Sequence, residues 1–172
     1  MKVIIMKSFR EFLSTNYFKH GAFIELKFTK ETLENLQKYF NKNNIQNQLN
    51  LDEIHTTLLY SRKGIVDYIP SNVLRGEILT PIKLHIWKTQ EDTNCLVCEL
   101  HNNNVIRHHN NLIKNHNASH DYPEYIPHVT FSYNCGNIDL DQLELPDFNF
   151  VVENEALSSL DEDWLKNNIK KR

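Results

Sequence analysis

Two short runs of this chain carry groups able to move protons on and off a phosphate ester. His55-Thr56-Thr57-Leu58-Leu59-Tyr60 and His128-Val129-Thr130-Phe131-Ser132-Tyr133 share one pattern: His, any residue, Thr, an apolar residue, any residue, Tyr. Cleaving a phosphodiester needs a base for the nucleophile's proton, an acid for the leaving oxygen, and donors for the charge on the phosphoryl oxygens. Two His and two Thr supply all four. With an ordinary pKa of about 6.5, one imidazole can be neutral and the other protonated near neutral pH. Positioned proton transfer contributes roughly 10²–10⁴-fold in rate, and preorganised hydroxyl donors add electrostatic stabilisation. A single His-x-Thr is ordinarily a structural histidine satisfied by a neighbour. The second, matched copy is what points to chemistry.

Strands must aim these groups, because residues two apart on a strand share a face and so pair His55 with Thr57 and His128 with Thr130. The spacing predicts strands over 54–60 and 127–133 around the two motifs. A further strand is expected over 22–28, with Phe23 and Glu25 on one face and Ile24, Leu26 and Phe28 on the other. Thr29 reads as an N-cap for a helix over 30–40, ended by the Asn-rich stretch 41–50. Strands over 82–87 and 94–100, joined by a polar turn, precede a second helix over 103–115 whose Val105, Ile106, His109, Leu112 and Ile113 share a face. A last strand over 148–153 and a charged helix over 159–170 complete the pattern. In each half a helix precedes a strand bearing His-x-Thr, which predicts an α+β domain of two similar lobes.

The chain has 172 residues, 40% of them hydrophobic and 24% charged, with four Gly and five Pro, which predicts one folded domain over 1–172 with an N-terminal extension over 1–20. Its formal net charge of −3 argues against coating long nucleic acid, which runs on clustered Lys and Arg. The apolar opening run at residues 3–6 is far shorter than a signal-peptide core or a membrane span, so no membrane association is expected. Three Cys are too few for a disulfide framework, and Cys95 and Cys98 fall on opposite faces of their strand, as buried reduced thiols. His101, His108, His109, His116 and His120 form a His-rich stretch that no carboxylate or Cys completes into a metal set, so they are read as solvated or weakly bonded surface groups. Neither a metal nor another cofactor is expected. Of the basic residues Lys7, Arg10, Arg62, Lys63 and Arg107, only Arg62 and Lys63 follow a motif strand closely enough to stand near a cleft mouth.

The paired motifs resemble the two-histidine phosphoesterase superfamily, whose His-x-Thr or His-x-Ser motifs sit on facing strands of a two-lobed fold. More narrowly, the run from His55 to Lys63, with Trp87, Asn94-Cys95-Leu96-Val97 and Pro127-His128-Val129-Thr130, is similar to the phage anti-CBASS phosphodiesterases over roughly residues 21–164. The resemblance implies antiparallel sheets lining a central cleft, with helices packed outside. It also implies a metal-independent enzyme, a monomer or weak oligomer in the cytoplasm of the infected bacterium, that destroys cyclic di- and trinucleotides containing adenine. Cutting would occur at the 3′–5′ bond after an adenosine, with the 2′-hydroxyl as nucleophile. His55, Thr57, His128 and Thr130 would be the catalytic set. Phe23, standing where the family pattern has Tyr, and Trp87 would stack on bases, an interaction worth about 1–3 kcal/mol per base. Glu155 and Trp164 in the acidic, aromatic tail would contact the adenine amino group or close over the ligand as part of a C-terminal helix or lid over 159–172. Two alternatives stay open: an RNA 2′,3′-cyclic phosphodiesterase, and a sponge that binds the nucleotide without cutting it.

Overall fold

The computed structural model describes residues 21–65, 68–89 and 91–160. Six strands and two helices follow in the order β1 (Ala22–Phe28), α1 (Lys30–Asn43), β2 (Thr56–Ser61), β3 (Ile78–Lys88), β4 (Asn94–His101), α2 (Asn103–Asn115), β5 (His128–Ser132) and β6 (Phe150–Ser159). Every strand pairing is antiparallel, and the strands close in the order β1-β2-β5-β4-β3-β6. Two three-stranded lobes, β6-β1-β2 and β5-β4-β3, meet along β2–β5 and close along β3–β6. This is the α+β, two-lobed architecture that the duplicated motif implies.

Local chemistry sets the elements. Thr29 caps α1 by accepting from the Thr32 amide, and Asn102 caps α2 by accepting from the Asn104 and Val105 amides. Asn44 ends α1 in the left-handed region at φ 50°, where Asn is tolerated better than most residues. On β1 the side chains of Ala22, Ile24, Leu26 and Phe28 are buried while Phe23, Glu25 and Lys27 face the other way, partly open. The buried face meets an aromatic cluster in which Phe28 packs on Phe150 at 5.1 Å, and Phe131 packs on Phe40 of α1 at 5.3 Å. The lobes therefore bury one sheet face under the helices and leave the other for the cleft.

Four boundaries depart from expectation. The strand at 54–60 starts at Thr56, which leaves His55 just before the ladder. β3 begins at Ile78 and runs through Pro81; that residue, which has no amide to donate, sits at a register shift where the ladder does not need one. α1 continues to Asn43. β6 extends to Ser159 because it pairs with the whole of β1, from Phe28 with Val152 to Ala22 with Ser159, so Ser159 ends a strand rather than starting a helix. From residue 161 onward the expected C-terminal helix or lid, with Trp164, lies outside the described residues, as does the whole N-terminal extension over 1–20. Among the described residues no helix is long and apolar enough to cross a membrane.

One buried group is an internal control on the duplication. Thr56, the middle residue of the first motif, is fully buried opposite Val129, the middle residue of the second, and its hydroxyl has no hydrogen-bond partner among the described residues. A buried unsatisfied hydroxyl costs about 1–3 kcal/mol. Thr56→Val, which copies the second motif into the first, is therefore expected to raise the unfolding free energy by about 1 kcal/mol or more, read as a higher denaturant midpoint at unchanged slope. A lower midpoint would show that the hydroxyl is satisfied in solution.

Candidate active site

The site begins at the junction of β2 and β5. Thr56 faces Val129 across this antiparallel pair. One residue to either side, the same register sets His55 opposite Thr130 and Thr57 opposite His128, so each imidazole lies across from the other motif's hydroxyl. Because the middle residues point into the core, the flanking His and Thr point the opposite way, into the cleft. Both motif strands then carry a bulge at the same place. On β2 the register with β1 runs from Thr57↔Glu25 to Leu59↔Ile24, leaving Leu58 over; on β5 the register with β4 runs from Thr130↔Val97 to Ser132↔Leu96, leaving Phe131 over. A bulge re-aims the strand that carries it. Here it separates a cleft-facing Thr from a core-facing residue two positions on, which an unbroken strand could not do.

The two rings are held alike. His55 Nδ1 lies 2.7 Å from the Glu53 carbonyl oxygen and His128 Nδ1 lies 2.8 Å from the Ile126 carbonyl oxygen. A carbonyl only accepts, so Nδ1 carries a proton in both rings and Nε2 is the nitrogen free to exchange one. Their surroundings differ. Phe23 meets His55 edge-on at 5.8 Å and also packs on Tyr60, while Glu25, ion-paired with Lys27 at 3.3 Å, brings a carboxylate oxygen to 3.5 Å from His55 Nδ1. Trp87, 38% exposed, meets His128 edge-on at 4.9 Å. Burial, with opposition from the nearby His55 and His85, holds the His128 pKa below its ordinary value, while the Ile126 carbonyl and Glu99 pull the other way.

His85 and Glu99, outside the candidates that the sequence suggests, also border the site. They bond to one another at 2.6 Å, Glu99 lies in register with His128, and His85 packs 5.8 Å from Trp87. The signal was present: His85 and Trp87 are two apart on one strand and must share a face. Thr130 has Cys95 as a hydrogen-bonding neighbour, and burial pushes that thiol up to about 11. Cys95, Cys98 and Cys135 are all free and buried.

The remaining candidates are dispersed. Glu155 pairs in register with Leu26 on the core face of β6, fully covered, bonded by the Tyr68 hydroxyl and 3.6 Å from His108 Nε2; it is turned away from the histidine pair because an even register with a core residue fixes its face. Its backbone neighbours Asn154 and Ala156 face the cleft instead, in register with Lys27 and Glu25. The His-rich stretch is not all surface. His109 is buried, its Nδ1 donating to the Leu58 carbonyl at 2.7 Å, and His108 reaches the Tyr68 hydroxyl at 3.1 Å, so α2 turns these two inward for packing rather than display. Among the described residues no three His, Cys, Asp or Glu side chains are placed to hold a metal ion. Arg62 lies over the Tyr60 ring at 5.6 Å and pairs with Asp121 at 2.8 Å; Lys63 and Arg107 are exposed, and Lys7 and Arg10 lie outside the described residues.

Comparison with known proteins places the chain in a family. The family described as anti-CBASS protein Acb1 matches residues 20–167. The Acb1 protein of Enterobacteria phage T4 is 31% identical over 148 residues, covering 86% of this chain and 93% of the relative. That of Vibrio phage KVP40 is 30% identical over 151 residues, again 86% and 93%. Among solved structures, E. coli LigT complexed with NADP+ superposes with a TM-score of 0.56 at 18% identity over 80% of this chain and 86% of LigT. LigT in apo form gives 0.54 at 17% identity, over 81% and 87%. At such identities the likeness to LigT is one of fold. The extent of the first match and the identity to the phage proteins decide the narrower question: the chain belongs to the anti-CBASS protein Acb1 family.

Proposed function

We propose that this chain is a metal-independent phosphodiesterase that cuts cyclic di- and trinucleotides at the 3′–5′ bond after an adenosine, in the cytoplasm of a bacterium under phage attack. One observation carries the reading: two imidazoles with the same tautomer fixed by the same backbone contact, each across from a threonine hydroxyl. Binding alone has no use for a matched proton-transfer pair, which disfavours the sponge. A net charge of −3 does not favour a long RNA, which binds through clustered Lys and Arg.

The step balances on the chain's own groups. One imidazole takes the 2′-hydroxyl proton at Nε2, the 2′-oxygen attacks phosphorus, the bond to the 5′-oxygen breaks, and the other imidazolium protonates that oxygen. Thr57 and Thr130 donate to the phosphoryl oxygens. Water then opens the 2′,3′-cyclic phosphate to a 3′-phosphate. The depressed pKa of His128 keeps that ring neutral, the form a proton acceptor needs, which supports His128 as base and His55 as acid. The contacts of Phe23 with His55 and of Trp87 with His128 support a stacking role for both rings on the bases beside the scissile phosphate.

The direct test is a panel of cyclic dinucleotides incubated in excess EDTA, with mass analysis of products. Linear nucleotides ending in a 2′,3′-cyclic phosphate are expected, with a loss of roughly 10²–10⁴-fold for His55→Ala or His128→Ala. An analogue methylated at the scissile 2′-hydroxyl should bind and resist cutting; its cleavage at the normal rate would make water the attacking group.

The role assignment has its own check. A sulfur in place of the bridging 5′-oxygen leaves without a proton, so this substrate should restore His55→Ala and leave His128→Ala impaired. Since the His128 pKa lies below 6.5, the acidic limb of kcat/KM should also fall below that pH. Rescue of the His128 variant instead would exchange the two roles.

Trp87→Ala should weaken substrate binding by about 1–3 kcal/mol and leave the unfolding midpoint near that of the parent. Unchanged affinity per folded molecule would assign the ring to packing alone.

A further inference from the structure

The bulge at Leu58 exposes backbone that must be bonded elsewhere, and the two lobes solve this differently. On β5 the carbonyl of the left-over residue, Phe131, accepts from the Leu49 amide at 2.9 Å, a main-chain contact. On β2 two consecutive carbonyls are taken by side chains. The Tyr125 hydroxyl donates to the Thr57 carbonyl at 2.9 Å, and His109 Nδ1 donates to the Leu58 carbonyl at 2.7 Å. The donors are themselves locked together: the His109 and Tyr125 rings stack at 3.9 Å with 8° between planes, and His120 meets His109 edge-on at 4.6 Å.

We propose that the stacked pair His109–Tyr125 positions the first motif, holding the Thr57 and Leu58 carbonyls so that the bulge keeps the Thr57 hydroxyl aimed at the phosphoryl group. Neither side chain is needed for proton transfer. Both act through Thr57, and the inference rests on the phosphodiesterase reading of that residue. Tyr125 has a second reach, since Ile126, the next residue, supplies the carbonyl that orients His128. One hydroxyl thus ties the main chain of Thr57 to the segment that sets the other histidine. Burial supports the arrangement: it pushes the Tyr125 phenol up, keeping its proton for donation, and holds the His109 pKa below the ordinary value, leaving a neutral ring with its proton on Nδ1.

The test uses the full chain and cleavage of 3′,3′-cyclic GMP–AMP. Tyr125→Phe, which keeps the stack and deletes one donor, is expected to lower kcat by about tenfold to a hundredfold, as small misplacements of a catalytic group do, with KM within about twofold. His109→Asn places an amide N–H where Nδ1 stands and should keep most of the rate; His109→Leu should lose it. The deciding comparison is a double-mutant cycle. Tyr125→Phe should cost clearly less in Thr57→Ala than in Thr130→Ala, where its full amount is expected. Equal losses in both backgrounds, or an unchanged rate per folded molecule in Tyr125→Phe, would overturn the inference. Amide exchange gives a readout independent of turnover: residues 57–59 should exchange faster in Tyr125→Phe while 130–132 do not. A wild-type chain that cuts no cyclic dinucleotide would sink the phosphodiesterase reading while exchange still judged the clamp's hold on the bulge, and uniform exchange would sink the clamp while cleavage stood.

Discussion

Everything in the cleft depends on how β2 meets β5. A single register pair, Thr56 with Val129, joins them. Had the strands met one residue out of step, every side chain would have changed face relative to its partner, and a His of one motif would have lain against the core of the other. Burial of both middle residues enforces the register, since Thr56 and Val129 are each fully covered. The junction is short because both strands bend at the bulge three residues beyond the histidine. A contact so brief cannot hold two lobes in place. The β3–β6 pairing, Ile78 with Val151 and Leu79 with Phe150, supplies the second seam and turns two sheets into a closed wall.

Much of this was legible in the sequence, and the legible part follows strong periodicity. The helix over 103–115 and the strand over 22–28 appear with the boundaries their apolar spacing predicts, because one face of each is buried without interruption. The alternation on β1 likewise put Phe23 and Glu25 together, and they share the cleft face. What the sequence hid was pairing. Glu-Asn-Glu-Ala from Glu153 to Ala156 reads as a polar tail, yet β1 needs a neighbour along its whole length and draws this segment into the sheet. Only that register reveals that Glu155 faces Leu26. His109 was hidden for a related reason: a helix pattern shows that a residue faces inward, but not that a bulge carbonyl waits there to accept its proton. The bulges themselves left no mark in composition, since Leu58 and Phe131 look like any other apolar strand residue.

A duplicated scaffold poses a problem that the rest of the cleft resolves. Two identical motifs in identical lobes would give two rings of equal basicity, whereas proton transfer in one direction needs one neutral ring and one charged ring. The registers say which residues correspond: Lys27 lies next to the first motif where Glu99 lies next to the second, Glu25 corresponds to Val97, and Ala156 corresponds to His85. The backbone contact that fixes the tautomer is kept in both lobes, and the neighbours that carry charge are not. His128 is enclosed by Trp87 and flanked by a second imidazole whose carboxylate partner is already engaged at 2.6 Å. His55 has instead a carboxylate within 3.5 Å of its own Nδ1. Geometry is therefore conserved between lobes where orientation matters, while the charged neighbours of the two rings differ. On the proposed mechanism, that division lets one strand pattern, used twice, supply an acid and a base.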